Sequence, residues 1–127
     1  MKFEPSTLIY IDDAPGKGLG VFAKQAITSG EVIEVAPVLF VNTVEFANPD
    51  KSNLANNYVF YWEDGIVAVA LGYGSLYNHA PDPNAEFEHT DDSLIFTARR
   101  DIARGEEITI HYHNDPDDPT PMHFEVK

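Results

Sequence analysis

The stretch Leu71–Asn84, LGYGSLYNHAPDPN, limits what this chain can fold into more than any other. Gly72, Gly74, Pro81 and Pro83 exclude a regular helix here, because glycine frees the backbone and proline fixes φ and removes a donor. Among these breakers sit Asn78-His79 and Pro83-Asn84. Asparagine, aspartate and histidine tolerate unusual backbone angles, and their side chains bond the main chain that bends around them. Taken alone the stretch fits an Asx-type turn with a structural histidine. Lying between apolar runs, it also fits a buried crossing or a ligand cradle.

The flanking chain reads as short strands. Leu8–Ile11 is apolar and is closed by Asp12-Asp13-Ala14-Pro15-Gly16. Gly16-Lys17-Gly18-Leu19-Gly20 is a glycine-alternating turn before the strand Val21–Ala23. Such a turn lets main-chain N–H groups face an anionic ligand. It is not a dinucleotide fingerprint, since no long helix follows and Ser29-Gly30 breaks the chain within ten residues. Val32–Val35 and, past Pro37, Val38–Val41 read as two further strands, and Val44–Ala47 as the opening of a short helix. Asn57–Trp62, dense in aromatic and β-branched residues, pairs through Glu63-Asp64-Gly65 with Ile66–Leu71. Ala85–His89 and Leu94–Ala98 form another hairpin. Glu107–Tyr112 alternates, with Ile108 and Ile110 on one face and Thr109 and His111 on the other. Strands separated by frequent turns indicate a mostly-β domain.

A length of 127 residues, 43% of them hydrophobic, suits one domain with one core. The chain has no cysteine, which excludes disulfides, thiolate metal sites and a cysteine nucleophile. With no secretory signal at Met1–Pro5 and no apolar run of membrane-spanning length, the expectation is a cytoplasmic protein away from membranes. A net charge of −13 argues against direct contact with nucleic acid and favours basic partners. Residues 82–118 hold eleven of the twenty-one acids, so the acidity is densest beside the breaker loop and the last strand.

Two constellations at the carboxyl end compete. His111-x-His113, with Gly105 six residues before His111, is similar to the opening of a cupin metal motif. The glutamate and glycine expected after it are missing, so two partly exposed histidines flanking a buried tyrosine is the better account. The other constellation is an ordered set: Gly18-Leu19-Gly20; Asn78-His79-Ala80-Pro81-Asp82-Pro83-Asn84; Arg99-Arg100-Asp101-Ile102; and Gly105 to Tyr112, GEEITIHY. In order and spacing it resembles the G-x-G, N-H-S-x-x-P-N, R-D-I and G-E-E-L-T-x-x-Y motifs of the SET domain. That family comprises protein-lysine methyltransferases that use S-adenosylmethionine.

The resemblance runs from about Leu8 to Tyr112. It implies a β-clip-like fold of small curled sheets, with a pseudoknot formed by the Asn78-His79 loop and the Tyr112 segment. Residues 1–127 would form one SET domain, with 113–127 a tail closing the active site. Lys17, Gly18, Leu19, Gly20, Asn78, His79, Tyr112 and Phe124 would hold the cofactor, and S-adenosylhomocysteine would leave as product. Tyr112 would be catalytic. Tyr58, Phe60, Phe87 and Ile110 would wall the lysine channel. No metal is expected. The partner would be a basic protein segment, met by a monomer or a homodimer. The chain departs from the family pattern at Val35, where many members have tyrosine, at Ile110, where an aromatic residue is usual, and at Ala80 in place of serine. Those departures motivate an alternative, a non-catalytic SET-like module that binds cofactor or a basic peptide.

Overall fold

The computed structural model describes residues 4–42, 59–63 and 66–112. Nine strands and no helix are found among them: β1 (Ile9–Ala14), β2 (Gly18–Ala23), β3 (Val32–Asn42), β4 (Val59–Glu63), β5 (Ile66–Ala70), β6 (Asn78–His79), β7 (Ala85–His89), β8 (Ser93–Ala98) and β9 (Glu107–Ile110). They form two sheets, a four-stranded one in the order β1-β2-β9-β6 and a five-stranded one in the order β4-β5-β3-β8-β7. The mostly-β curled-sheet expectation holds. The helix expected at Val44–Ala47 lies outside the described residues.

Several strand boundaries differ from the sequence reading, β9 among them, which ends at Ile110 rather than Tyr112. The first strand continues through Asp12-Asp13 to Ala14, and β2 begins at Gly18, because the glycine turn itself pairs: Asp12 opposes Gly20 and Ala14 opposes Gly18. Pro37 does not divide β3. Residues 32–37 pair with β8 and residues 38–42 with β5, so the proline falls where the strand changes partners. A missing N–H is tolerated at such a hand-over. The backbone groups on either side are still bonded, Val38 N–H to Asp92 O and Leu71 N–H to Pro37 O.

The core joins both sheets. Val21, Ile27, Ile33, Leu94, Phe96, Ile102, Ile108 and Ile110 are buried together, and the bridge Ile27–Ile102 closes the connection between β8 and β9. Tyr77 stacks on Phe96 at 4.3 Å. Phe96 also faces Phe60 and Phe87, which meet edge to face at 5.1 Å. Aromatic pairs in these geometries contribute about 0.5–1.5 kcal/mol beyond their burial. This cluster fixes Tyr77, the residue on which the site is built.

Candidate active site

β6 pairs in parallel with β9, Asn78 opposite Thr109 and His79 opposite Ile110, and Ala80 N–H continues the ladder to Ile110 O. Parallel neighbours need a long connection. Here residues 80–106 supply it, and β9 enters between β2 and β6. The breaker loop thus lies against the strand that leads to Tyr112. The buried crossing, one of the readings open for it, is present.

Asn84 locks the crossing. It is buried, its Oδ1 accepts Thr109 N–H at 2.9 Å, and its Nδ2 donates to Glu107 O at 2.8 Å and to Glu106 Oε2 at 2.9 Å. At the other end of β9, the Tyr112 N–H donates to His79 Nδ1 at 3.1 Å, and the two rings lie 5.0 Å apart. An accepting Nδ1 leaves the proton of a neutral ring on Nε2. The Tyr112 hydroxyl then reaches the main-chain carbonyl of Tyr77 at 3.2 Å. His111 is buried, its ring edge-on to His79 at 4.5 Å, while Tyr112 is only partly buried. That reverses the expected exposure of His111 and Tyr112: His111, just past β9, packs against His79 of β6.

The glycine turn is drawn to the same place. Asn78 Nδ2 donates to Leu19 O at 3.0 Å and to Glu107 Oε2 at 2.8 Å, and Lys17 Nζ pairs with Glu107 Oε1 at 3.2 Å. Gly20 sits inside this contact, where an added Cβ would lie 2.8 Å from Glu107 Oε2 and 3.0 Å from Asn78 Nδ2. A cation, an anion and an amide therefore share one small contact chain. That donor set suits a ligand carrying both an ammonium and a carboxylate.

Lys17, Gly18, Leu19, Gly20, Asn78, His79 and Tyr112 are thus brought together. Phe60, Phe87 and Ile110 are buried in the adjoining core, tied to the site through Phe96 and Tyr77. Tyr58, His113 and Phe124 lie outside the described residues, and with His113 so does half of the cupin-like pair. Glu107 was missed by sequence reasoning, although it stands in the Gly105-Glu106-Glu107 motif and could have been found there.

Glu34 was missed as well, and its environment is unusual. The register of β3 on β8 shifts between Val32 and Glu34, so two residues oppose one. Such a bulge breaks the alternation of faces, and both Ile33 and Glu34 are buried. Glu34 Oε1 accepts the Tyr77 hydroxyl at 2.7 Å, and Oε2 accepts the Tyr73 N–H at 2.9 Å. Burial pushes the Glu34 carboxyl above its usual range, and those two bonds only partly offset it. Burial and the neighbouring carboxylate push the Tyr77 phenol well above its ordinary range, so it stays protonated and donates. Tyr77 therefore has its ring on Phe96, its hydroxyl on Glu34 and its carbonyl on Tyr112.

Comparison with known proteins agrees with this geometry. The SET domain family model matches residues 18–113. A protein of Schizosaccharomyces pombe, named as a histone-lysine N-methyltransferase specific for lysine 37 of H3, is 33% identical over 104 residues, covering 80% of this chain and 71% of that protein. A crystal structure of a candidate histone methyltransferase from Plasmodium falciparum superposes with a TM-score of 0.69 at 33% identity, covering 87% of this chain and 95% of that one. The motifs, the parallel crossing of β6 on β9 and these matches converge, and the chain belongs to the SET-domain family.

Proposed function

We propose that this protein-lysine methyltransferase takes its target from a basic segment of a histone-like protein, and that Tyr112 is the residue against which the reacting amine is set. The observation that carries the reading is the Tyr112 hydroxyl meeting the Tyr77 carbonyl at 3.2 Å, at the end of a strand locked to the breaker loop. A fixed carbonyl accepts an N–H of a lysine amine and so aims its lone pair. The phenol beside it is a donor that holds the same geometry. Such positioning is a large part of what a group-transfer site contributes.

S-adenosylmethionine is the methyl donor of the SET methyltransferases, and the residues present fit its amino-acid end. Lys17 would face the carboxylate. Asn78, Glu107 and the Leu19 carbonyl, already in one contact chain, would take the ammonium. Gly18 and Gly20 would let the main chain approach, His79 would flank the adenine, and Phe124 of the tail would close over it. When bound, the cofactor supplies an electrophilic methyl on a sulfonium and leaves as S-adenosylhomocysteine. The lysine must arrive neutral, although its pKa in water is about 10.4. Tyr58, Phe60, Phe87 and Ile110 are the proposed channel walls, and an apolar wall disfavours the ammonium form.

The fission-yeast relative is named for a lysine of histone H3, so histone H3 is the first substrate to assay, with methyl-labelled S-adenosylmethionine. Transfer to lysine is expected, and Tyr112→Phe should lower kcat by about a hundredfold with cofactor affinity retained. Undiminished transfer by Tyr112→Phe overturns the assignment of Tyr112. Cofactor binding with no transfer to any histone favours the non-catalytic module that Val35 and Ile110 motivate.

A further inference from the structure

Beside the Gly72–Tyr77 turn, among the described residues, lies a cleft of about 380 Å³. Glu34 forms part of its lining, with Pro5, Val35, Pro37, Gly72 and Tyr73 around it. The volume falls within the range of small-ligand sites, roughly 300–1,000 Å³. Its composition narrows what it can hold. Each Glu34 oxygen accepts one bond, from Tyr77 or from Tyr73, and a carboxylate oxygen has capacity for about two. A second carboxylate, Glu4, also belongs to the lining.

An apolar occupant would leave the spare acceptor sites of Glu34 unused and further from water, and an anion would be repelled by Glu34. An ammonium brings a tight hydration shell into a cleft walled by proline, valine and a tyrosine. A guanidinium is more weakly hydrated, presents paired donors to the two oxygens of a carboxylate, and stacks on an aromatic face. The Tyr73 side chain is available for that stacking, since the residue is 36% exposed.

We propose that this cleft is a subsite for an arginine side chain, carried by the same substrate segment as the target lysine. Tyr77 connects the two places: its phenol is on Glu34 and its carbonyl is on Tyr112. They are linked through this one residue and a hydrogen bond at each end. The cleft's preference for arginine stands on its own walls. The assignment of that arginine to the substrate rests on the methyltransferase reading.

The Tyr73 N–H, bonded to Glu34 Oε2, is a built-in reporter. N-acetylarginine methylamide and its citrulline counterpart are titrated into the full chain and followed by amide NMR. Arginine should shift the Tyr73 and Gly72 resonances saturably, and citrulline should bind at least about tenfold more weakly, as loss of a charge-assisted pair requires. Glu34→Gln should abolish the difference. Tyr73→Ala, which keeps the reporting amide and does not touch the buried acid, should weaken arginine by about two- to fivefold. In a second arm, kcat/KM is measured for lysine peptides with arginine or citrulline at each flanking position. One position should lose about tenfold with citrulline, and Glu34→Gln should remove that preference. Absence of an arginine shift in folded protein overturns the subsite. A shift without any positional preference overturns its assignment to the substrate segment. A chain that binds the arginine probe but methylates no lysine-bearing protein fails the methyltransferase reading and leaves the subsite standing.

Discussion

Gly18 and Gly20, two positions apart in one turn, are glycines for different reasons. Gly18 has φ +84° with nothing near its missing Cβ, whereas Gly20 has no such angle and lies against Glu107, Asn78 and Ala14. Gly18→Ala should therefore cost about 1–2 kcal/mol of backbone strain and leave the contact chain intact. Gly20→Ala should push Asn78 from Glu107 and weaken S-adenosylmethionine binding by about tenfold or more, as overpacking of about 1–3 kcal/mol implies. Calorimetric titration of both variants separates the two, and equal losses would refute the distinction. Glu34 makes a pH-dependent prediction. Its carboxyl is raised mainly by burial, so the folded chain holds that proton more tightly than the unfolded one. The resulting stabilisation is full below the unfolded value of about 4.5 and is lost as pH rises through the higher folded value. Wild type should lose thermal stability relative to Glu34→Gln as pH rises above the unfolded value of about 4.5. A constant difference over that rise would show that Glu34 titrates normally.

At the scale of elements, β9 is held by its ladders to β2 and β6 and by one side chain. Four residues are too few to secure a strand alone, and the Asn84 side chain adds two bonds to it, and a third to Glu106 just before it, from the far end of the breaker loop. Asn84→Ala would leave the Thr109 N–H and the Glu107 carbonyl without those partners inside the protein. The expected loss is about 2–4 kcal/mol, read from urea unfolding. Activity should fall with it, because Tyr112 follows β9 directly. If Asn84→Ala keeps full stability, the crossing is secured elsewhere. The bulge in β3 acts at the same scale: one shifted register turns Glu34 inward beneath the turn whose last residue, Tyr77, offers the carbonyl that the Tyr112 hydroxyl meets.

The whole molecule carries a net charge of −13. Long-range attraction of this kind raises encounter rates with basic partners and is screened over about 8–10 Å at physiological salt. KM for the proposed basic protein substrate should rise several-fold between about 50 and 300 mM salt, while KM for S-adenosylmethionine stays nearly constant. A salt-independent KM for that substrate would assign the acidity to solubility alone.

Local chemistry in the sequence was enough to determine a mostly-β chain, its hairpins, and a set of motifs whose order and spacing identify the family. Hairpin pairing and turn residues act within a few positions, so their signals survive in a linear reading. Three features had no such signal. Pro37 reads as a break, and only the exchange of β8 for β5 as partner makes β3 continuous through it. Nothing local marks Glu34 as buried, and only the bulge against Phe96 turns it in. His111 reads as partly exposed, and only the parallel pairing of β9 with β6 brings it against His79 and buries it. In each case the deciding contact joins residues tens of positions apart, and the free energy of that distant pairing overrides the local preference of the chain.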